Sequence, residues 1–428
     1  MSADPFRPAK RVAGQRQDVW SIVNEAALAS PVQPIVNMGQ GFFGYNPPPF
    51  VTDAAKAALD RVDCNQYAPT KGRPRLKKAI VEAYGPFFST ETPLDPDKNV
   101  TITTGANEGM LSAFMAFIEP GDEVVIFEPF FDQYISNIEM AGGVIKYCSM
   151  LPPAHGSERT SSAADWKIDW EGLEATLEKA GSKVRMIVLN SPHNPVGKVL
   201  SKSELERVGE LAIKHNLIIL SDEVYDRLYY VPFTRIAALS PQLWERTLTV
   251  GSGGKVFYAT GWRVGWLIGP EHLIKHVSAA HTRICYSSVS PLQEAVAIGF
   301  EEADKHNFWD ESKKEMESKL HRFCSVFDEL KLPYSIPEGG YFVLANLAKV
   351  KLPKDYKFPD HVANRPRDFK LCWFLIMELG IAAIPPTEFY TDENAHIVED
   401  YLRFAVCKED DVLEQAKERL RGLLQYMA

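Results

Sequence analysis

Between about Asn99 and Pro270 the chain repeats one pattern, a short β-rich run followed by a helical stretch. Such alternation argues for parallel strands, because a parallel neighbour is reached only through a crossover long enough to hold a helix. Strands are expected over 100–103, 123–127, 144–148, 185–189, 217–220, 248–251 and 264–268, with helices over 107–118 and 203–215 among them. The run Ile218-Ile219-Leu220 is apolar without alternation, as in a strand covered on both faces. The expected frame is an α/β sheet, mainly parallel and covered by helices.

After about Asn307 the texture changes. A long helical stretch over 308–330 leads to Pro333-Tyr334-Ser335-Ile336-Pro337 and Gly339-Gly340-Tyr341-Phe342. The chain ends in an amphipathic helix with Val412, Leu413, Ala416, Leu420 and Leu423 on one face. A large domain is therefore expected over 48–306. A smaller α+β domain is expected from 1–47, which includes an N-terminal arm, together with 307–428. The Lys-, Pro- and Asp-rich segment 353–368 reads as a surface loop.

Composition removes several function classes. The net charge of −9 argues against nucleic-acid binding, which needs clustered basic residues. The most apolar window, 371–384, is interrupted by Glu378 and is too short to span a bilayer. The six cysteines are far apart with no C-x-x-C pair, as in a reducing compartment. Residues 1–14 have no secretory-type apolar stretch. The expectation is a soluble cytoplasmic protein without membrane or nucleic-acid partners, a mitochondrial pool being the alternative.

The chemistry centres on Lys255. It sits in Ser252-Gly253-Gly254-Lys255, directly after a β-rich run, and Arg263 follows in Thr260-Gly261-Trp262-Arg263. A lysine there supplies an amine for a Schiff base. Asp222, in Ser221-Asp222-Glu223-Val224-Tyr225, follows a buried-looking strand, where a carboxylate is expensive unless paired. A pyridinium N–H is one such partner, and a protonated ring nitrogen makes the ring an electron sink. Tyr225 and Asn194 supply donors for a ring oxygen. Gly105-Ala106-Asn107 opens a helix after a strand and suits a phosphate, joined by the Ser252 hydroxyl and the Arg263 fork. Phe131 is placed to stack on a pyridine ring. Taken alone, Asn194-Pro195 is only a turn signal and Phe131 only a core aromatic. Together these groups are what a pyridoxal phosphate site needs.

Three other signals fail. Gly39-Gln40-Gly41-Phe42-Phe43-Gly44 matches G-x-G-x-x-G, but prolines follow it where a dinucleotide site needs a helix. Gly254-Lys255 lacks the first glycine and the final Ser/Thr of a P-loop, with Thr249 and Val256 in those places. His272 and His276 lack a third ligand and read as a solvated helix face. No metal site is expected.

These residues resemble the class I aminotransferases of pyridoxal phosphate fold type I, and within them the kynurenine aminotransferase / glutamine transaminase K group. The similarity runs from Trp20 to the last helix. It is carried by 36–42, Asn65-Gln66-Tyr67, Glu128-Pro129-Phe130-Phe131-Asp132, Ser191-Pro192-His193-Asn194-Pro195-Val196-Gly197-Lys198, 244–249, Gly261-Trp262-Arg263-Val264-Gly265-Trp266 and Tyr401-Leu402-Arg403-Phe404. The resemblance implies a homodimer with shared active sites, in which Tyr67 reaches the partner subunit's cofactor phosphate. It also assigns Arg403 as the clamp on the substrate carboxylate, with Asn194 and the Gly41 backbone. An arginine fork does match a carboxylate. The implied reaction moves the amino group of L-kynurenine, or of other large or aromatic amino acids, to a 2-oxo acid, with Lys255 carrying the proton. Trp20, Phe131, Tyr134 and Tyr286 are candidates for an aromatic substrate pocket. Two departures bear on specificity: Asn107 stands where animal members carry tyrosine, and Ser287 where some carry a partner-chain histidine.

Competing readings keep the cofactor but change the reaction, to a carbon–sulfur β-lyase of cysteine conjugates or a broad aromatic/glutamine aminotransferase. A cofactor-binding transcription regulator would need a DNA-binding module, and only about thirty residues precede the enzyme-like region.

Overall fold

Each expected strand is present in the computed structural model, which describes residues 6, 8–12, 19–88 and 92–427. Residues 1–5, 7 and 13–18 of the expected N-terminal arm lie outside them. The main sheet is built from β1 (Val100–Thr103), β2 (Glu123–Glu128), β3 (Val144–Leu151), β4 (Lys167–Ile168), β5 (Val184–Asn190), β6 (Ile218–Asp222), β7 (Thr247–Ser252) and β8 (Gly265–Ile268). Its order is β1-β8-β7-β6-β5-β2-β3-β4. The central pairs, β7 with β6, β6 with β5, β5 with β2 and β2 with β3, are parallel. Every residue of β2 and β7 is buried, as expected of strands covered on both faces.

Two strands depart from the parallel pattern. Short β4 pairs antiparallel with β3 at one edge. More consequentially, β8 runs antiparallel to both β1 and β7. The connection from β7 to β8 holds only single turns of helix, Gly253–Val256 and Thr260–Trp262. That is too little chain to recross the sheet, so β8 returns beside β7. Periodicity finds such a strand but does not orient it.

The expected helices form as α2 (Gly105–Phe117), α3 (Lys202–Lys214) and α4 (Phe308–Glu329), and they are preceded by α1 (Val19–Ala29), which the sequence reading left unassigned. The boundaries of α3 follow from its capping box, in which Ser201 accepts from the Glu204 amide and Glu204 accepts from the Ser201 amide. A second sheet pairs Tyr401–Ala405 (β11) with Phe342–Asn346 (β10), then Tyr334–Ile336 (β9), then Ser161–Ser162. Strand alternation decides its chemistry. Phe404 packs on Phe323 and Phe327 of α4, with ring centroids 5.7 and 5.5 Å apart. Arg403, one residue earlier, points to the other face.

The surface-loop expectation for 353–368 needs correction at its end. Asp368 is fully buried, accepting from the Thr387 amide at 2.8 Å and the Thr387 hydroxyl at 3.0 Å. Burial pushes its carboxyl up to about 8. A charged residue in a polar stretch reads as solvated, and only the tertiary partner reverses that. Among the described residues no helix is long and apolar enough to cross a membrane.

Candidate active site

The carboxyl ends of β5, β6 and β7 open onto a cavity of about 230 Å³, the place where open α/β sheets bind ligands. Its wall includes Ala106, Asn107, Phe131, Asn194, Asp222, Tyr225, Ser252, Lys255 and Arg263 from the main sheet and its loops. Trp20 of α1, Gly41, Phe342 and Arg403 close it from the other side. Residues spread over most of the chain thus meet in one place.

One end is shaped for an anion. Gly105 begins α2 with φ of 79°, and a Cβ there would lie 2.6 Å from Arg263 Nη2. Gly265 is equally constrained, since a Cβ would lie 2.5 Å from the Ala106 amide nitrogen. The two glycines let the Arg263 guanidinium lie against the helix N-terminus, where backbone N–H groups and a positive fork converge. Arg263 itself has φ of 54°, a left-handed conformation unusual for a non-glycine residue. Because β8 is reversed, Ser252 and Arg263 emerge at the same sheet edge, with Ser252 paired opposite Gly265. The Asn107 side-chain oxygen is held by Asn137 Nδ2 at 2.9 Å.

The centre holds a carboxylate. Asp222 ends β6, buried, and burial raises its carboxyl to about 6. The Tyr134 hydroxyl donates to its Oδ2 at 2.5 Å and the Val224 amide to its Oδ1 at 3.3 Å, both favouring the ionised form. Asn190 fixes the surrounding backbone, donating to the Asp222 carbonyl at 3.0 Å and accepting from the Asn194 amide at 2.8 Å. The Tyr225 phenol is pushed up by burial and stays protonated, able to donate.

Lys255 sits in the one-turn helix after β7. Enclosure lowers its amine to about 8, toward the neutral form that a nucleophile or base requires. Its Nζ donates to Tyr341 Oη at 2.9 Å and to the Gly41 carbonyl at 3.2 Å.

Arg403 is incompletely satisfied. It is buried, and among the described residues no carboxylate lies within ion-pair distance of it. Nη1 donates to Asn194 Oδ1 at 3.0 Å, Nη2 to the Gly39 carbonyl at 2.9 Å, and Nε has no partner. Its guanidinium stacks 4.4 Å from the Phe342 ring centre, and burial lowers its pKa to about 10. A buried cation is costly unless paired, so this donor set fits an incoming carboxylate.

The sequence-predicted residues therefore converge, with three exceptions of placement. Tyr134 does not line the cavity; it is buried beneath, holding Asp222. Its spacing from Phe131 puts the two rings together, 5.6 Å apart, but cannot say which way the hydroxyl points. Tyr67 and Tyr286 also do not line it. They are exposed and packed edge-to-face, 5.5 Å apart, beside a surface groove formed with Asn65, Ser287 and Ser288. The sequence missed the roles of Tyr341 and Asn190. Glu108, His281 and Cys285 bring possible ligand atoms within 4.8 Å of one another. They satisfy each other without an ion: His281 Nδ1 lies 2.8 Å from Glu108 Oε2, which also caps the Thr104 amide at 2.8 Å. His272 and His276 lie on the exposed face of their helix, as expected.

Residues 33–420 match the family model described as aminotransferase class I and II. The chain is 48% identical to Probable kynurenine–oxoglutarate transaminase BNA3 of Saccharomyces cerevisiae, over 96% of this chain and 93% of that one. It is 35% identical to kynurenine–oxoglutarate transaminase 3 of Homo sapiens, over 97% of this chain and 90% of that one. The crystal structure of Bna3p from S. cerevisiae superposes with a TM-score of 0.95 at 47% identity, covering 99% of this chain and all of that one. The chain belongs to the class I and II aminotransferases.

Proposed function

We propose that this protein is a pyridoxal phosphate-dependent aminotransferase that takes the amino group of L-kynurenine and passes it to a 2-oxo acid. The observation carrying the reading is the pairing of a buried arginine lacking a carboxylate with a largely enclosed lysine amine across one cavity. The names of the similar yeast and human proteins supply the substrate, and Trp20 and Phe131 supply the apolar wall a large side chain needs.

The residues present fit the cofactor. The start of α2, Ser252 and Arg263 would hold its phosphate, Asp222 its ring nitrogen, Tyr225 and Asn194 its ring oxygen, and Phe131 one ring face. Bound there, the cofactor supplies a covalent attachment point and an electron sink. The chain does the rest. Arg403 and Asn194 orient the substrate carboxylate, Trp20 and Phe131 exclude water, and Lys255 takes the α-proton onto Nζ and later returns it. In this reading two subunits pair across the groove at Tyr67, so that the exposed Tyr67 serves the partner's cofactor and Tyr286 borders the partner's substrate. The main-sheet region 48–306 then acts as the cofactor domain, and 1–47 with 307–428 as the substrate-side domain.

Adding L-kynurenine without an oxo acid to the cofactor-loaded protein should convert the bound cofactor's absorbance from the pyridoxal to the pyridoxamine form, and 2-oxoglutarate should restore it. A spectrum that kynurenine leaves unchanged removes it as donor. Pyruvate and ammonia released from a cysteine conjugate would instead favour the β-lyase reading. The anion seat has its own test. Gly105→Ala combines a strained φ with the 2.6 Å approach to Arg263, and should weaken cofactor affinity roughly tenfold or more. Absorbance titration of the cofactor-free variant measures this, and an unaltered affinity would show that Gly105 does not shape the seat.

A further inference from the structure

Lys255, Tyr341 and Gly41 form a closed triangle from three distant parts of the chain. The amine donates to Tyr341 Oη and to the Gly41 carbonyl, and Tyr341 Oη donates to that same carbonyl at 2.8 Å. Tyr341 is fully buried. Its ring stands edge-on to Tyr225 at 5.3 Å and to Phe43 at 5.2 Å, and leans on Phe342 at 4.7 Å. Burial holds its phenol well above the ordinary range, so it stays protonated; its O–H reaches the Gly41 carbonyl, and the Tyr225 side chain is its other hydrogen-bonding neighbour. Toward Lys255 it can only accept. Gly41 is equally fixed, since a Cβ there would lie 2.7 Å from Phe342 Cζ.

The count of bonds on nitrogen gives the triangle a use. A neutral amine has two N–H bonds and one lone pair. With both N–H bonds given to Tyr341 and Gly41, the lone pair is left the one remaining tetrahedral direction, on an amine that lines the cavity. Asp222, Arg403, Arg263, Cys407 and Tyr225 are the other charged or titratable groups acting on this amine. Among the described residues none of them hydrogen-bonds Nζ.

We propose that Tyr341 is a positioning residue for proton transfer: with the Gly41 carbonyl it docks the Lys255 amine once that amine is free, and aims its lone pair at the substrate α-carbon. The proposal rests on the aminotransferase reading above. In the step it serves, the α-carbon–hydrogen bond breaks and a third N–H bond forms on Nζ, which becomes an ammonium. The electron pair of the broken bond stays with the substrate in its cofactor-bound form. The amine remains docked by its other two N–H bonds, so the same proton is offered back from the same place.

Tyr341→Phe in the full-length, cofactor-loaded protein tests this, because it keeps the ring and removes the acceptor. The expected result is a kcat lower by roughly ten- to a hundredfold with KM for the amino donor changed less than about twofold. The isotope effect with α-deuterated donor should rise as proton transfer becomes slower. A second readout needs no turnover. In the cofactor-free protein, the pH midpoint for acetylation of Lys255, followed by mass spectrometry of its peptide, should fall by roughly half a unit to one unit. The lost acceptor stabilised the ammonium more than the amine. A purely structural Tyr341 would leave that midpoint in place, and an unmoved midpoint, or a higher KM with undiminished kcat, overturns the proposal. Tyr341→Met fills similar space with a flexible side chain and gives the same comparison if the phenylalanine variant is insoluble. Wild-type protein without cofactor-dependent turnover would sink the aminotransferase reading, while the Lys255 midpoint still decides whether Tyr341 docks the amine.

Discussion

Lys255→Met should abolish transamination, lowering kcat by roughly 10⁴-fold or more, and yet make the cofactor-free protein more stable. The loss follows because one nitrogen provides both the covalent link and the proton shuttle, and losing an acid–base group alone costs about 10²–10⁴-fold. The gain in stability follows from the lowered pKa. In the unfolded chain the amine titrates near 10.5 and in the folded chain near 8. Between those values the unfolded state binds more protons, so wild-type stability rises with pH. The penalty for enclosing the ammonium is complete below about pH 8 and gone above about 10.5. At pH 7 the variant should gain on the order of 1–3 kcal/mol, less whatever the two lost hydrogen bonds contributed. Thermal melts at pH 7 and pH 10 measure the difference. A variant less stable than wild type at both would show that enclosure of the amine costs nothing.

Arg403→Ala should lower kcat/KM for carboxylate-bearing donors by about 30- to 1,000-fold, or roughly 2–4 kcal/mol, the range for removing one member of a buried charge pair. The effect should be selective. An amine of the same shape without a carboxylate gains nothing from Arg403 in wild type and should react equally poorly with both proteins. Arg403→Lys should recover only part of the loss, because a point charge cannot reproduce the fork that reaches both Asn194 and Gly39. Equal losses for substrates with and without a carboxylate would move Arg403 from substrate recognition to structural support.

Much of this was legible from local pattern. The unbroken apolar run Ile218-Ile219-Leu220 located β6, β-rich runs located β5 and β7, and small residues followed by Lys255 and Arg263 marked the turn that carries the amine. What pattern could not supply was direction and distance. Reversal of β8 depends on how little chain separates it from β7. Arg403 looked like any strand arginine until alternation with Phe404 placed it opposite α4. Tyr134 has the residue type of a pocket wall, yet its hydroxyl ends on Asp222. Asp368 sits in a polar stretch and is buried by a contact with Thr387, which no window of sequence includes. Tyr341 gave no signal, since its meaning comes entirely from Gly41 and Lys255.

The antiparallel return of β8 has a mechanical consequence. Ser252, Lys255 and Arg263 lie on one short excursion whose two ends are tied together, the Gly253 amide donating to the Val264 carbonyl at 2.9 Å. The spacing between the Lys255 amine and the proposed phosphate seat is thus set by sheet register. Arg403 and Tyr341 belong to the other sheet and its approach. A rocking of that sheet would open the carboxylate clamp and the amine dock together, while the excursion stays closed on itself. On the proposed reading, substrate would then exchange without loosening the residues that would hold the cofactor.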